Sequence, residues 1–250
     1  MERHIHDSAQ IADEVEIGLF AVIGENVVIG EGSRVGHHAV IHDGATIGRA
    51  VRIDDHAVIG KLPMKAIRSK TTDSSRVIEP AVIGDGVIIG TGAVVYSGAS
   101  IGNGVLIADL ATVREDVTIG DYTIIGANAI IENRVTIGSR CKIQSKVYLC
   151  PYSEIGDDCF IAPCVAASND NYAGRWKERT KYYKGVTIGN GGRIAVNATI
   201  LPGRVIGEDG MVGAGSVVTR DVDPGTIVCG NPAKLLRPVP DNQLLKNQED

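Results

Sequence analysis

The sequence predicts an all-β chain, a parallel β-helix, from three observations: an apolar residue at every sixth position, a small or β-branched residue four places later, and a glycine directly after many of the apolar ones. The apolar series runs Ile5, Ile11, Ile17, Ile23, Ile29, Val35, Ile41, Ile47, Ile53 and Ile59 without a miss. A helix repeats at 3.6 and an open sheet alternates, whereas six is the spacing of one face of a solenoid coil.

Each hexad reads as one flat face. The branched residue fills the interior, and beside it fits the companion series Ala9, Val15, Ala21, Val27, Ser33, Ala39, Ala45, Val51 and Ala57. Glycine in Ile17-Gly18, Ile23-Gly24, Ile29-Gly30 and Ile47-Gly48 is expected to supply the unusual backbone angles of a tight corner. Three faces close a coil. The same phase resumes from Val77 through Ile83 to Ile161, and a new phase runs Ile188, Ile194, Ile200, Ile206, Val212 and Val218, which makes 31 hexads. The expectation is about ten coils rising about 4.8 Å each, about 48 Å in all. Residues 1–238 form a single domain on this reading, and 239–250 a polar C-terminal tail, either a short helix or disordered.

Composition narrows the function classes. Ten aromatic residues among 250 suit a narrow prism filled by Ile, Val and Ala rather than a ring-rich globular core. A formal net charge of -5 gives nucleic acid or an anionic membrane no general reason to bind, and no run of 18 apolar residues occurs. The repeat begins at Ile5 with no apolar leader before it, so a cytoplasmic protein is expected. Five cysteines without a C-x-x-C pair point to packing rather than to disulfides or a cysteine zinc site; Cys141 and Cys159 fall at the small inward position of successive coils.

A uniform solenoid needs no loops, so its breaks are where function is sought. The first, 61–76, carries Lys61, Lys65, Arg68, Lys70 and Arg76 against Asp73. The second, 166–185, carries Tyr172, Trp176, Tyr182 and Tyr183 with Arg175, Lys177, Arg179, Lys181 and Lys184. Cations beside flat rings on an acidic protein suit an anionic ligand with a planar part, such as a nucleotide diphosphate or coenzyme A.

The C-terminal hexads and their ending, Gly185-Val186-Thr187-Ile188-Gly189, Asn197-Ala198-Thr199-Ile200-Leu201-Pro202-Gly203, Val212-Gly213-Ala214-Gly215-Ser216-Val217-Val218-Thr219 and Gly230-Asn231-Pro232-Ala233-Lys234, make the chain from Ile5 to about Pro238 resemble the hexapeptide-repeat acyltransferases. That resemblance implies a left-handed β-helix, a homotrimer, and acetyl-CoA as co-substrate with no metal. It implies that backbone around Ala195, Ala214 and Thr219 lines the pantetheine groove and that Arg193, Lys234 and Arg237 meet the phosphates.

Phe160-Ile161-Ala162-Pro163 followed by Ser168-Asn169-Asp170-Asn171-Tyr172 resembles the subgroup that acetylates the amine of a dTDP- or UDP-linked 3-amino sugar. The implied roles put Asn169 and Asp170 beside the amine, with Glu154 as a further candidate. Tyr172 and Trp176 are expected against the nucleotide, and Lys61, Lys65 and Arg68 at its pyrophosphate. Direct attack of the amine on the thioester is expected, Asp170 accepting a proton or holding the amine, Asn169 orienting it, and a backbone N–H meeting the oxyanion.

The histidines bear on the acceptor. His4, His6, His37, His38, His42 and His56 all precede the first break and read as outward-facing. An amine of pKa about 8 needs little help to become neutral, whereas a hydroxyl demands a general base worth about 10²–10⁴ in rate, so an amine acceptor is favoured over an alcohol. Alternatives are an O-acetyltransferase, an acyl-carrier-protein-dependent sugar N-acyltransferase, a non-catalytic scaffold, and a gamma-type carbonic anhydrase, for which His37 and His42 have a suggestive spacing but no third ligand.

Overall fold

The structure, a computed structural model, describes residues 3–64 and 76–248. Short strands stack into three faces of 11, 10 and 12 strands, each strand hydrogen-bonded to the one a full turn away. Face 1 begins at His4–Ile5, face 2 at Gln10–Ile11 and face 3 at Glu16–Ile17. Register is strict: Ile23 pairs with Ile41, Ile29 with Ile47 and Val35 with Ile53, so like stacks on like through the interior. These side chains are buried, as are Ala21, Val27, Ala39, Ala45 and Ala57 beside them. Fully burying an isoleucine stabilises by ~1.5–3 kcal/mol. The interior is one continuous column that thins only at the first coil, where Ile5 is exposed.

Two expectations about the repeat change. Val77 is not an inward residue but is 86% exposed, and the inward series resumes at Ile83. Conversely, Ala166–Ala167 adds a strand to face 1, pairing with Tyr148 and Thr199, so the second excursion begins at 168 rather than 166. Alanine in place of Ile or Val hid that hexad. Past Val218, strand Thr226–Gly230 adds to face 3 and turns back antiparallel as Ala233–Pro238, a hairpin the hexapeptide spacing cannot announce. The tail carries 3-10 turns at Asp241–Gln243 and Leu245–Asn247, anchored where the Leu245 N–H donates to Asp209 Oδ1 at 2.8 Å.

The glycines also act differently from expectation. The left-handed corner residue is the third after each inward apolar one, filled by Phe20 (φ 60°), Asn26 (53°), His38 (55°) and Ala50 (51°) as readily as by Gly32 (69°). Glycine directly after the apolar residue answers instead to the neighbouring coil. A Cβ on Gly18 would lie 2.6 Å from the Gly36 carbonyl carbon, and one on Gly30 2.5 Å from the Gly48 oxygen. At the next position, Asp or Asn caps the coil before it: the Glu25 N–H donates to Asp43 Oδ1 at 2.8 Å and the Asn103 N–H to Asp121 Oδ1 at 2.7 Å.

The two kinds of glycine are separable by unfolding midpoint. Gly30→Ala should cost about 2–3 kcal/mol because backbone must move, whereas Gly32→Ala, with no atom within 4 Å of its Cβ, should cost about 1 kcal/mol or less. The reverse order would contradict the close-approach account.

Candidate functional site

Both excursions leave the prism at the same edge, the corner between faces 1 and 2. The first departs after Ile59 of face 1 and returns at Ile83 of face 2; the second departs after Ala167 of face 1 and returns at Ile188 of face 2. Four coils lie between, and their corners break the glycine rule. Where the corner between faces 2 and 3 holds Gly84, Gly102, Gly120, Gly138 and Gly156, this one holds Tyr96, Arg114, Glu132 and Cys150 in successive coils. The register shifts at the first of them, where Lys61 pairs with Tyr96, and is regular in the next three strand pairs.

These side chains form a connected charged cluster. Arg114 lies over the Tyr96 ring, 4.9 Å from its centroid, with the Lys61 ammonium at 5.8 Å. Its guanidinium donates to both oxygens of Glu115, at 2.8 and 3.1 Å, and reaches one oxygen of Glu132 at 3.5 Å. Glu115 is buried at 4% exposure. Burial pushes the Glu132 carboxyl above its ordinary value, and Glu115 adds to this, against the pull of Arg114 and the Asn133 N–H. The Tyr148 phenol beside it is pushed up to about 12, first by burial and then by Glu132. Perturbed groups of this kind concentrate at functional sites. Sequence reading missed this cluster; the signal was four consecutive departures from glycine at one corner.

Each excursion is tied to the edge. Arg76 donates to Asp116 at 2.7 and 3.1 Å, and the Gly98 N–H to the Glu79 carbonyl, so the end of the first lies along these corners. The second is closed at its neck by the Lys184 N–H on the Asn169 carbonyl. Asp170 shapes its first turn: the N–H groups of Tyr172 and Gly174 donate to its two oxygens at 2.8 and 2.9 Å, and Arg179 approaches to 3.2 Å. Tyr172, Trp176 and Tyr182 pack on one another, with centroids 4.9, 5.2 and 6.2 Å apart, yet each stays 40–54% exposed. Among the described residues, Arg175, Lys177 and Lys184 have no carboxylate partner.

The remaining candidates divide. Thr219 stands on the same edge two coils beyond Ala167, about 10 Å along the axis. It lines a cavity of about 360 Å³ with Arg220, Asp223, Pro232 and Lys234. Arg237 pairs with Ile227 in the hairpin and is exposed. Ala195 and Ala214 occupy the corner between faces 3 and 1, and Arg193 faces outward on face 3, where its Nη1 donates to Gln243 Oε1 at 3.1 Å. The Arg193 Nε and Nη2 are buried without a hydrogen-bond partner. Glu154 faces outward on face 2, exposed. Lys65 and Arg68 lie outside the described residues. His37 and His42, five apart in sequence, stand on different corners.

Arg114→Ala would leave Glu115 buried and unpaired, and should lower stability by about 3 kcal/mol, read as the unfolding midpoint. Asp170→Ala should leave that midpoint unchanged while making 172–182 markedly more sensitive to limited proteolysis.

Residues 98–133 match the family described as bacterial transferase hexapeptide (six repeats), and residues 80–108 match the hexapeptide repeat of succinyl-transferase. Galactoside O-acetyltransferase of Escherichia coli is 36% identical over 90 residues, 35% of this chain and 44% of that protein. A Staphylococcus aureus protein named as an acetyltransferase is 50% identical over 54 residues, 22% of this chain and 25% of that one. The chain thus spans less than half the length of either relative. A UDP-N-acetylglucosamine acyltransferase structure from Bacteroides fragilis superposes with a TM-score of 0.50 at 21% identity, covering 93% of this chain and 71% of that one, a likeness of fold. The chain therefore carries the hexapeptide repeat of bacterial transferases on a parallel β-solenoid, and its relatives in sequence are named as acetyltransferases.

Proposed function

We propose that the chain is an acetyl-CoA-dependent N-acetyltransferase acting on the amine of a dTDP- or UDP-linked 3-amino sugar. The observation that carries this reading is the shared edge: the aromatic, cationic excursion and the charged corners lie along one line of the prism, and Thr219 of that line borders the terminal cavity. The exposed faces of Tyr172 and Trp176 suit a planar base. Lys61, with Lys65 and Arg68, suits the pyrophosphate.

Coenzyme A is a polyanion, and the donors present fit one. Arg220 and Lys234 line the terminal cavity, and Arg193 keeps two buried donors unpartnered. Arg193, Ala195 and Ala214 stand across face 1 from Thr219, so one chain cannot gather them all. A homotrimer that sets this side of one prism against the edge of the next would. The outward row of face 1, Val22, Val40, Val58, Val94, Ile130 and Tyr148, is apolar enough to support such a contact.

In the reaction, the neutral amine attacks the acetyl carbonyl, Asn169 meets the substrate at the neck of the excursion, and Asp170 holds the excursion in place. The galactoside O-acetyltransferase relative favours a second reading, a sugar hydroxyl acceptor. That acceptor needs a strong base. The histidine of this edge nearest the charged corners, His42, lies four coils from Glu132, about 19 Å along the axis.

Mixing the full chain with acetyl-CoA and separate nucleotide-linked sugars, amino and hydroxyl, while following free thiol decides between them. Thiol release with an amino sugar alone is expected; release with the hydroxyl sugars would overturn the amine reading. Trp176→Ala should raise KM for the nucleotide sugar about tenfold. Lys234→Ala should raise KM for the coenzyme and flatten its salt dependence.

A further inference from the structure

Four carboxyls stand on the shared edge between Tyr96 and the neck of the second excursion, and they are not equivalent; Asp116 is held by Arg76. Glu115 is committed: both its oxygens accept from Arg114. Asp170 is committed too, both its oxygens accepting from loop backbone. Glu132 is less engaged: Arg114 reaches one of its oxygens at 3.5 Å, and the Asn133 N–H is its other hydrogen-bonding neighbour. Its side chain is 20% exposed, reachable from solvent but largely out of it. Arg114 and Glu115 face it from the preceding coil, Tyr148 and Cys150 from the following one, and the Asn133 N–H from its own corner. Arg114 is the cation in contact with both carboxylates, and Lys61, over the same Tyr96 ring as Arg114, is the next one along the edge.

We propose that Glu132 receives the acceptor amine and takes its proton as the amine attacks the thioester, which names the base for the acceptor site and rests on the amine reading above. The new bond joins the nitrogen to the acetyl carbonyl carbon; the carbon–sulfur bond breaks, its electron pair leaving on sulfur as thiolate. The proton from nitrogen passes to a Glu132 oxygen and then to the thiolate, giving the amide and free coenzyme A thiol. Glu132 lies two coils from Ala167, about 10 Å along the edge from the root of the excursion. The direction of its shift suits the task. A carboxyl held above its ordinary value is a stronger base near neutral pH than a solvated one. It accepts a proton only when ionised, so kcat/KM should fall as pH drops through its raised value.

Two measurements on the full chain test this. With acetyl-CoA and the UDP- and dTDP-linked amino sugars, Glu132→Gln should lower kcat on the order of 10²-fold, leave KM for the coenzyme unchanged, and abolish the fall of kcat/KM at low pH. A variant within twofold of wild type that keeps this fall overturns the proposal. The second readout needs no turnover: the Glu132 carboxyl carbon-13 signal, identified by its loss in Glu132→Gln, should move when an amino sugar is added without coenzyme. A signal that no amino sugar moves overturns the proposal. A signal that moves without any thiol release on adding acetyl-CoA retains Glu132 as the amine's partner and refutes the acetyltransfer reading instead.

Discussion

Adjacent coils of this prism are one backbone hydrogen bond apart on every face, and that spacing governs what each position can hold. The Val22 N–H meets the Ala39 carbonyl at 2.9 Å and the Gly24 N–H the Ile41 carbonyl at 2.8 Å; the pattern recurs up the column. Side chains that point inward must stack on their equivalents 18 residues away. Hence interior isoleucine faces isoleucine, and where glycine follows it a Cβ would run into the backbone of the next coil. The left-handed corner two positions later points away from the stack and accepts His38, Phe20 or Ala50 alike. Sequence variety is thus confined to outward positions, and the repeat is a consequence of spacing rather than of local helix or strand preference.

Against that constraint, the edge between faces 1 and 2 is costly. Here Tyr96, Arg114, Glu132 and Cys150 stand in four consecutive coils where the corner between faces 2 and 3 keeps glycine, and they bring a salt-bridged cluster with them. Burying a carboxylate such as Glu115 stabilises little even when it is paired, because desolvation offsets the attraction. A fold built for stability alone has no use for it. The two excursions open on this same edge, one tied down through Arg76 and Asp116, the other through Asn169 and Lys184. Flat rings, cations and half-buried carboxyls then share one line, as recognition of a charged, planar substrate requires.

Much of the architecture was legible because its cause is periodic. Ile5 to Ile59 gave the coil, and the two cationic interruptions gave the places where the prism opens. The failures have physical reasons. Val77 has the right spacing and hydrophobicity, but the returning chain is still outside the column there; Ala167 is inward yet too small to register as a hexad. Glycine after each isoleucine invited an explanation by backbone angle, whereas the deciding distance is to a residue 18 positions away. The same long separation hid the Arg114–Glu115–Glu132 cluster: each residue looked like ordinary surface until the coils were stacked. Asp170, singled out for chemistry, turned out to have both oxygens engaged in shaping its own loop.

The central claim is that ligands bind along the edge between faces 1 and 2, with the facing side of a neighbouring prism completing the coenzyme site. Amide hydrogen exchange of the full chain, with and without coenzyme A and a nucleotide-linked amino sugar, tests it directly. The account predicts added protection at the corners at 96–98, 114–116, 132–134 and 150–152, at the excursion at 168–185, at the terminal hairpin and, on the facing side of a neighbouring prism, at 193–195 and 212–214. Protection concentrated instead along the corner between faces 2 and 3, around Gly84, Gly102 and Gly120, would contradict it.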